Sequence, residues 1–143
     1  MTTIKVKKLS PDAKAPFKAK PTAIGWDLYA LKNTTIPSSG GMKWVETGIA
    51  LELPKGYWAK IEGRSGYSLD HKIDVGAGII DNDYTGPIKV LIYNFSAYPT
   101  IINKGDRFAQ IVLHKEVHAE IEEVEELAET ARAADGFGST GNR

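Results

Sequence analysis

Short segments of alternating apolar and polar residues, separated by turn signals, dominate this chain and point to an all-β fold. Ile4, Val6 and Leu9 open the first alternating segment. Ile49, Leu51 and Leu53 alternate with Ala50 and Glu52, and Ile88, Val90 and Ile92 repeat the pattern. Residues 108–113 form a compact apolar run. A period of two places successive side chains on opposite faces of a strand. Between these runs lie Pro37-Ser38-Ser39-Gly40-Gly41, Pro54-Lys55-Gly56, Asn82-Asp83-Tyr84-Thr85-Gly86-Pro87 and Asn103-Lys104-Gly105-Asp106. Many short strands joined by regular turns predict an all-β sandwich or barrel. The 143 residues suit one domain, and no repeat, linker or second domain is visible. One segment departs from the pattern. Ile121, Val124, Leu127 and Ala131 follow helical spacing, so residues 120–132 read alone as a helix. The alternative is an outer strand ending near Glu125 and followed by a tail, and periodicity leaves both open.

Charge and composition narrow the function classes. Lys and Arg total 18 and Asp and Glu total 18, a balance unlike the basic surplus of a general nucleic-acid binder. Lysines gather before residue 26 and glutamates between 120 and 129, both as expected of solvated faces. The absence of cysteine excludes disulfides, thiolate catalysis and cysteine-based zinc sites. The N-terminal lysines precede no apolar signal region, and no apolar run approaches a membrane span. A soluble intracellular protein, cytoplasmic or nuclear, is the expectation. His71, His114 and His118 have no short metal-ligand spacing apart from the pair at 114 and 118. In a strand those two share a face but stand too far apart to chelate one ion. No Ser/His/Asp arrangement is evident.

Five segments carry chemistry. In Gly63-Arg64-Ser65-Gly66 the arginine fork matches phosphate oxygens, the serine donates an O–H, and glycine admits close backbone approach. A turn with a surface arginine would look the same. In Ile79-Ile80-Asp81-Asn82-Asp83-Tyr84-Thr85-Gly86, Asp81 directly follows an apolar strand, where a rigid scaffold can aim it at a water, and Tyr84 can offer a ring to a sugar. A plain hairpin turn is the alternative. Asp27 in Gly25-Trp26-Asp27-Leu28-Tyr29-Ala30 is a lone acid in an apolar run, and acids are rarely buried unless paired or near a cation. Gln110 in Gly105-Asp106-Arg107-Phe108-Ala109-Gln110 is likewise a polar group in an apolar strand. Finally, Gly136-Phe137-Gly138-Ser139-Thr140-Gly141 has the composition of a frayed end but also the parts of a phosphate cradle.

Taken in order, these segments, with Arg132 ahead of the last, resemble the five motifs of the trimeric all-β dUTPases. The resemblance runs from about Ile4 to the C-terminus. It implies a jelly-roll domain over residues 1–131, with one short helix at Ser65–His71, and a mobile tail over 132–143 that closes on the active site. It favours strand over helix for residues 119–125. The implied reaction is hydrolysis of dUTP to dUMP and pyrophosphate by water attack at the α-phosphate, which limits uracil in DNA and supplies dUMP for dTMP synthesis. Asp81 resembles the acid that orients the water. Tyr84 resembles the ring beneath deoxyribose, leaving no room for a 2′-OH. Residues 75–80, with Val75, Gly78 and Ile80, resemble the hairpin whose backbone reads uracil. Arg64, Ser65, Gly66 and Gln110 resemble phosphate ligands. Asp27 resembles the acid that holds hydrated Mg²⁺ through water. Arg132, Phe137, Gly138, Ser139 and Thr140 resemble the closing tail, with Phe137 stacking on uracil. The implied partners are dUTP and two further copies of the chain, in a homotrimer with shared sites, without direct nucleic-acid or membrane contact. The sequence departs from the family pattern at Gly63, where proline is frequent, at Trp26, at Tyr67-Ser68, and at Ala133-Ala134-Asp135, where glycines are common. The last change stiffens the tail and adds a negative charge near the triphosphate. A dCTP deaminase shares the implied fold but needs an acid against the pyrimidine C4, and Asp74 is the one spare acid in the hairpin. A nucleotide-controlled interaction module is the alternative of another class.

Overall fold

The structure, a computed structural model, describes residues 2–141. Met1, Asn142 and Arg143 lie outside the described residues, so the expected domain and tail are seen without their outermost positions. In chain order the elements are β1 (Lys5–Lys8), β2 (Trp26–Tyr29), β3 (Thr34–Ile36), β4 (Gly41–Glu52), β5 (Tyr57–Gly63), α1 (Ser65–His71), β6 (Ile73–Gly76), β7 (Ile79–Ile80), β8 (Pro87–Asn94), β9 (Thr100–Ile102) and β10 (Arg107–Lys115). All strand pairs are antiparallel. One sheet has the order β1-β4-β8-β6 and the other β2-β10-β5-β7, with β3 and β9 as a separate pair. This is the expected all-β jelly roll, and its helix occupies the expected span. Among the described residues no helix is long and apolar enough to cross a membrane.

The alternation in the sequence becomes the core. On β8, Ile88, Val90, Ile92 and Asn94 point inward while the residues between them are less buried. Ile88, Val90 and Ile92 meet Val45, Ile49 and Leu51 of β4 and, from the facing sheet, Leu28, Ile61, Phe108 and Ile111 in one cluster. Two irregularities break the period. Gly48, at φ +70°, sits in a register shift of β4, after which Ile49, Ala50 and Leu51 are all buried. A second shift between Arg107 and Ala109 of β10 buries Phe108 and Ala109 in succession. The buried polar groups are satisfied. Thr47 Oγ1 donates to the Ile88 carbonyl at 2.7 Å, and Asn94 Nδ2 donates to the carbonyls of Tyr98 (2.8 Å) and Ile36 (3.2 Å).

The strand expected over 119–125 is not formed, nor is the helix suggested by the local spacing. Glu116 N–H donates to the Gly56 carbonyl at 2.9 Å, and beyond it residues 117–131 are exposed and outside any described strand or helix. The physical reason is the lack of a partner within the same chain. A strand needs a neighbouring edge, and a short helix needs an apolar face to bury. Ile121, Val124 and Leu127 find neither.

Candidate active site

Asp27 lies on β2, and β2 pairs with β10, whose bulge re-aims the side chains around it. Asp27 is 8% exposed, and its carboxylate meets two guanidinium groups. Arg64 Nε lies 3.0 Å from Oδ1 and Arg107 Nη1 lies 3.1 Å from Oδ2. Arg64 Nη1 also donates to the Arg107 carbonyl. A buried acid thus has its cationic partners, and two arginines against one aspartate leave a surplus positive charge at the surface of the pair. Gln110 stands opposite Asp27 on the β10–β2 ladder, and its Nε2 donates to the Gly63 carbonyl at 2.9 Å. Gly25 makes room for it, since a Cβ there would lie 2.2 Å from Gln110 Oε1. Arg64 occupies the N-cap of α1 with no side-chain cap, so Ser65 and Gly66 sit exposed in the first turn. Tyr67 points back toward the body: its hydroxyl donates to Asp106 Oδ2 at 2.8 Å, and its ring stacks on His71 with centroids 3.9 Å apart. Burial, and then the Asp106 hydrogen bond, raise the Tyr67 pKa well above the usual phenol value.

A second group lies along the joint between the sheets. β6 has β8 on one side and no described strand on the other, and β7 is similarly paired with β5 alone. The turn between them, Ala77 at φ +53° and Gly78 at φ +103°, carries the chain from one sheet to the other. A side chain at 78 would lie 2.9 Å from the Ile61 carbonyl, and the Gly78 carbonyl accepts Ile61 N–H at 2.7 Å. The result is a cleft of about 230 Å³ whose lining includes Gly76, Gly78, Ile79, Ile80, Asp81 and Tyr84. Asn82 fixes the following loop by donating to the carbonyls of Pro54 (2.8 Å) and Tyr57 (2.7 Å). The Tyr84 hydroxyl donates to the Pro87 carbonyl at 2.9 Å, so its ring folds over Gly86, where a Cβ would meet the hydroxyl at 2.7 Å.

The expected site residues therefore form three groups within one chain. Asp27, Arg64 and Gln110 come together, with Ser65 and Gly66 beside them. Gly78, Ile80, Asp81 and Tyr84 line the cleft, while Val75 stands next to it on β6. Arg132, Phe137, Gly138, Ser139 and Thr140 are exposed and make local turns only, such as Ser139 N–H to the Gly136 carbonyl at 2.9 Å. Asp74 does not line the cleft, and its carboxylate accepts Val75 N–H at 2.8 Å. Sequence reasoning missed three contributors. Arg107 is not marked by its motif alone, although a lone buried acid calls for a cation. Trp44 of β4 and Lys89 of β8 line the cleft from the sheet that contains β6, Lys89 Nζ lying 5.6 Å from the Trp44 ring centre, and nothing in their local sequence marks them.

The magnesium expectation falls on Asp27. Oδ2 accepts an Arg107 N–H, Oδ1 is ion-paired with Arg64, and both oxygens keep lone-pair capacity for water. Among the described residues no group of three or more His, Asp or Glu side chains could hold a metal ion directly. Such a donor set fits a hydrated ion carried mainly by phosphate oxygens, with Asp27 reached through water, as magnesium commonly binds.

A family model described as dUTPase matches residues 11–141. The deoxyuridine 5′-triphosphate nucleotidohydrolase of Kluyveromyces lactis is 46% identical over 140 residues, covering 97% of this chain and 94% of that protein. Its counterpart from Saccharomyces cerevisiae is 45% identical over 141 residues, covering 97% and 95%. Among solved structures, a mutant of the Staphylococcus bacteriophage 80alpha dUTPase with dUpNHpp matches at a TM-score of 0.89 and 25% identity, covering 99% of each chain.

Proposed function

Since this chain belongs to the dUTPase family, we infer that it is a dUTP nucleotidohydrolase, cleaving dUTP to dUMP and pyrophosphate by attack of water at the α-phosphate. The observation that carries this reading is the cleft where the unpaired edges of β6 and β7 meet, lined also by Asp81 and Tyr84. Free backbone N–H and C=O groups can pair with the edge of a uracil as they would with a strand. Tyr84 lies under deoxyribose and leaves a 2′-OH no space. Asp81 accepts a hydrogen bond from the attacking water and polarises it.

Arg64, Ser65, Gly66 and Gln110 hold the phosphate chain. The arginine pair around Asp27 supports this role, because positive charge is already oriented there before the transition state forms. Magnesium bound with the triphosphate supplies charge neutralisation and alignment of the leaving pyrophosphate. Asp27 is the residue that would hold it, through water.

We assign the phosphate ligands and the cleft that serve one nucleotide to different copies of the chain. Ile80 pairs with Ala59 of β5, five residues before Arg64, which at about 3.3 Å per residue is roughly 16 Å, and Asp81 lies farther still. A closed trimer with shared sites fits this assignment. The exposed arm over 117–131 lets the tail reach a neighbouring copy. There Phe137 stacks on uracil, Arg132 pairs with phosphate, and Gly138, Ser139 and Thr140 offer N–H and O–H donors. The test is pyrophosphate release from UTP and each dNTP with Mg²⁺. Turnover confined to dUTP is expected, and ammonia release from dCTP or no turnover of dUTP would refute the assignment.

A further inference from the structure

Helix α1 carries Ser65 and Gly66 but has no buried residue and no side-chain cap, and Leu69 on it is exposed. Its own length gives it little stability, since short helices depend on tertiary contacts. Tyr67 is the residue of α1 that packs against the core. Its hydroxyl donates at 2.8 Å to Asp106 Oδ2, the same oxygen that accepts Asn103 N–H at 3.0 Å. Asp106 immediately precedes Arg107, whose carbonyl accepts Arg64 Nη1 and whose guanidinium pairs with Asp27. The contacts close a ring: Arg64 leads through Ser65 and Gly66 to Tyr67, across to Asp106, along to Arg107, and back to Arg64. At the base of the ring, a Cβ on Gly63 would lie 2.7 Å from Ser68 Oγ, so the helix sits tightly on the end of β5.

We propose that Tyr67 is a positioning residue for the triphosphate: its hydrogen bond to Asp106 fixes α1, and with it Arg64, Ser65 and Gly66, relative to Arg107. The phenol is protonated throughout the neutral range and so remains a donor there. The role rests on the phosphate assignment above and adds a residue that touches no substrate itself. It differs from a general packing role in what it affects. The ring and its stack on His71 hold the local core, whereas the hydroxyl acts only on the geometry of the phosphate ligands.

Tyr67→Phe separates the two, since it keeps the ring and removes the donor. Losing one such bond should weaken binding of dUpNHpp about three- to tenfold, while binding of dUMP, which lacks the outer phosphates, stays within about twofold. Melting temperature and assembly should be close to those of the unaltered chain. Asp106→Asn, which keeps an acceptor oxygen, should fall between the two. Unchanged dUpNHpp affinity in Tyr67→Phe would overturn the proposal, and so would an equal loss for both nucleotides. Failure of the dUTPase assignment is a separate result, read from the unaltered chain alone by its lack of dUTP turnover.

Discussion

At the scale of single residues, Asp27, Gln110 and Tyr84 are each held by a named neighbour. Asp81→Asn should still bind dUpNHpp, because the amide keeps the shape, but turnover should fall by about 10²- to 10⁴-fold, as for other losses of a positioned proton acceptor. Near-normal turnover would move the water-orienting role elsewhere. Tyr84 is held over Gly86 by its bond to Pro87. Replacing it with alanine should raise the ratio of kcat/KM for UTP to that for dUTP, and an unchanged ratio would assign sugar discrimination to the backbone. Gly25→Ala places a methyl 2.2 Å from Gln110 Oε1 and must displace that side chain. A cost of about 1–3 kcal/mol in urea unfolding is expected, as for overpacking generally, with a lower affinity for dUpNHpp. Asp27 was legible in the sequence as an acid out of place, but its partners were not. A lone buried carboxylate implies a cation without saying which one, and the choice of Arg64 and Arg107 is made by the β2–β10 register and the bulge beside it.

At the scale of elements, the strands of the core were legible because a buried face imposes period two, and Ser65–His71 was placed correctly through the family pattern. The segment over 119–125 was not legible. Its apolar residues carry helical spacing, its family suggests a strand, and within one chain it forms neither, since both structures require a surface that this chain does not supply to itself. The β6–β7 turn was foreseen only as a hairpin. That it bridges two sheets follows from which neighbours β6 and β7 choose, a long-range matter. The tail belongs to this scale as well. Exposed, locally turned and rich in glycine, it has little to lose from removal in the absence of ligand. Closing it costs about 1–2 kcal/mol of backbone entropy per residue, which a charged, stackable nucleotide can offset. A chain ending before Gly136 should therefore keep its assembly and melting temperature and lose most of its kcat/KM for dUTP. Full activity in the truncated protein would withdraw the roles given to Phe137, Gly138, Ser139 and Thr140.

At the scale of the molecule, the proposed trimer brings together the cleft, the arginine pair at Asp27 and the exposed tail of different copies. Light scattering should give three times the chain mass, since cyclic symmetry lets every copy satisfy its neighbour. A fully active monomer would refute the shared site. The most direct measurement mixes two variants, Asp81→Asn and Arg64→Ala, each nearly inactive alone, after unfolding and reassembly in equal amounts. If Asp81 and Arg64 act from different copies, random mixed trimers contain intact sites at about a quarter of the full number, and dUTP hydrolysis should recover to roughly that fraction. If both residues act within one copy, every chain in the mixture carries a defect at its own site, and no activity would return.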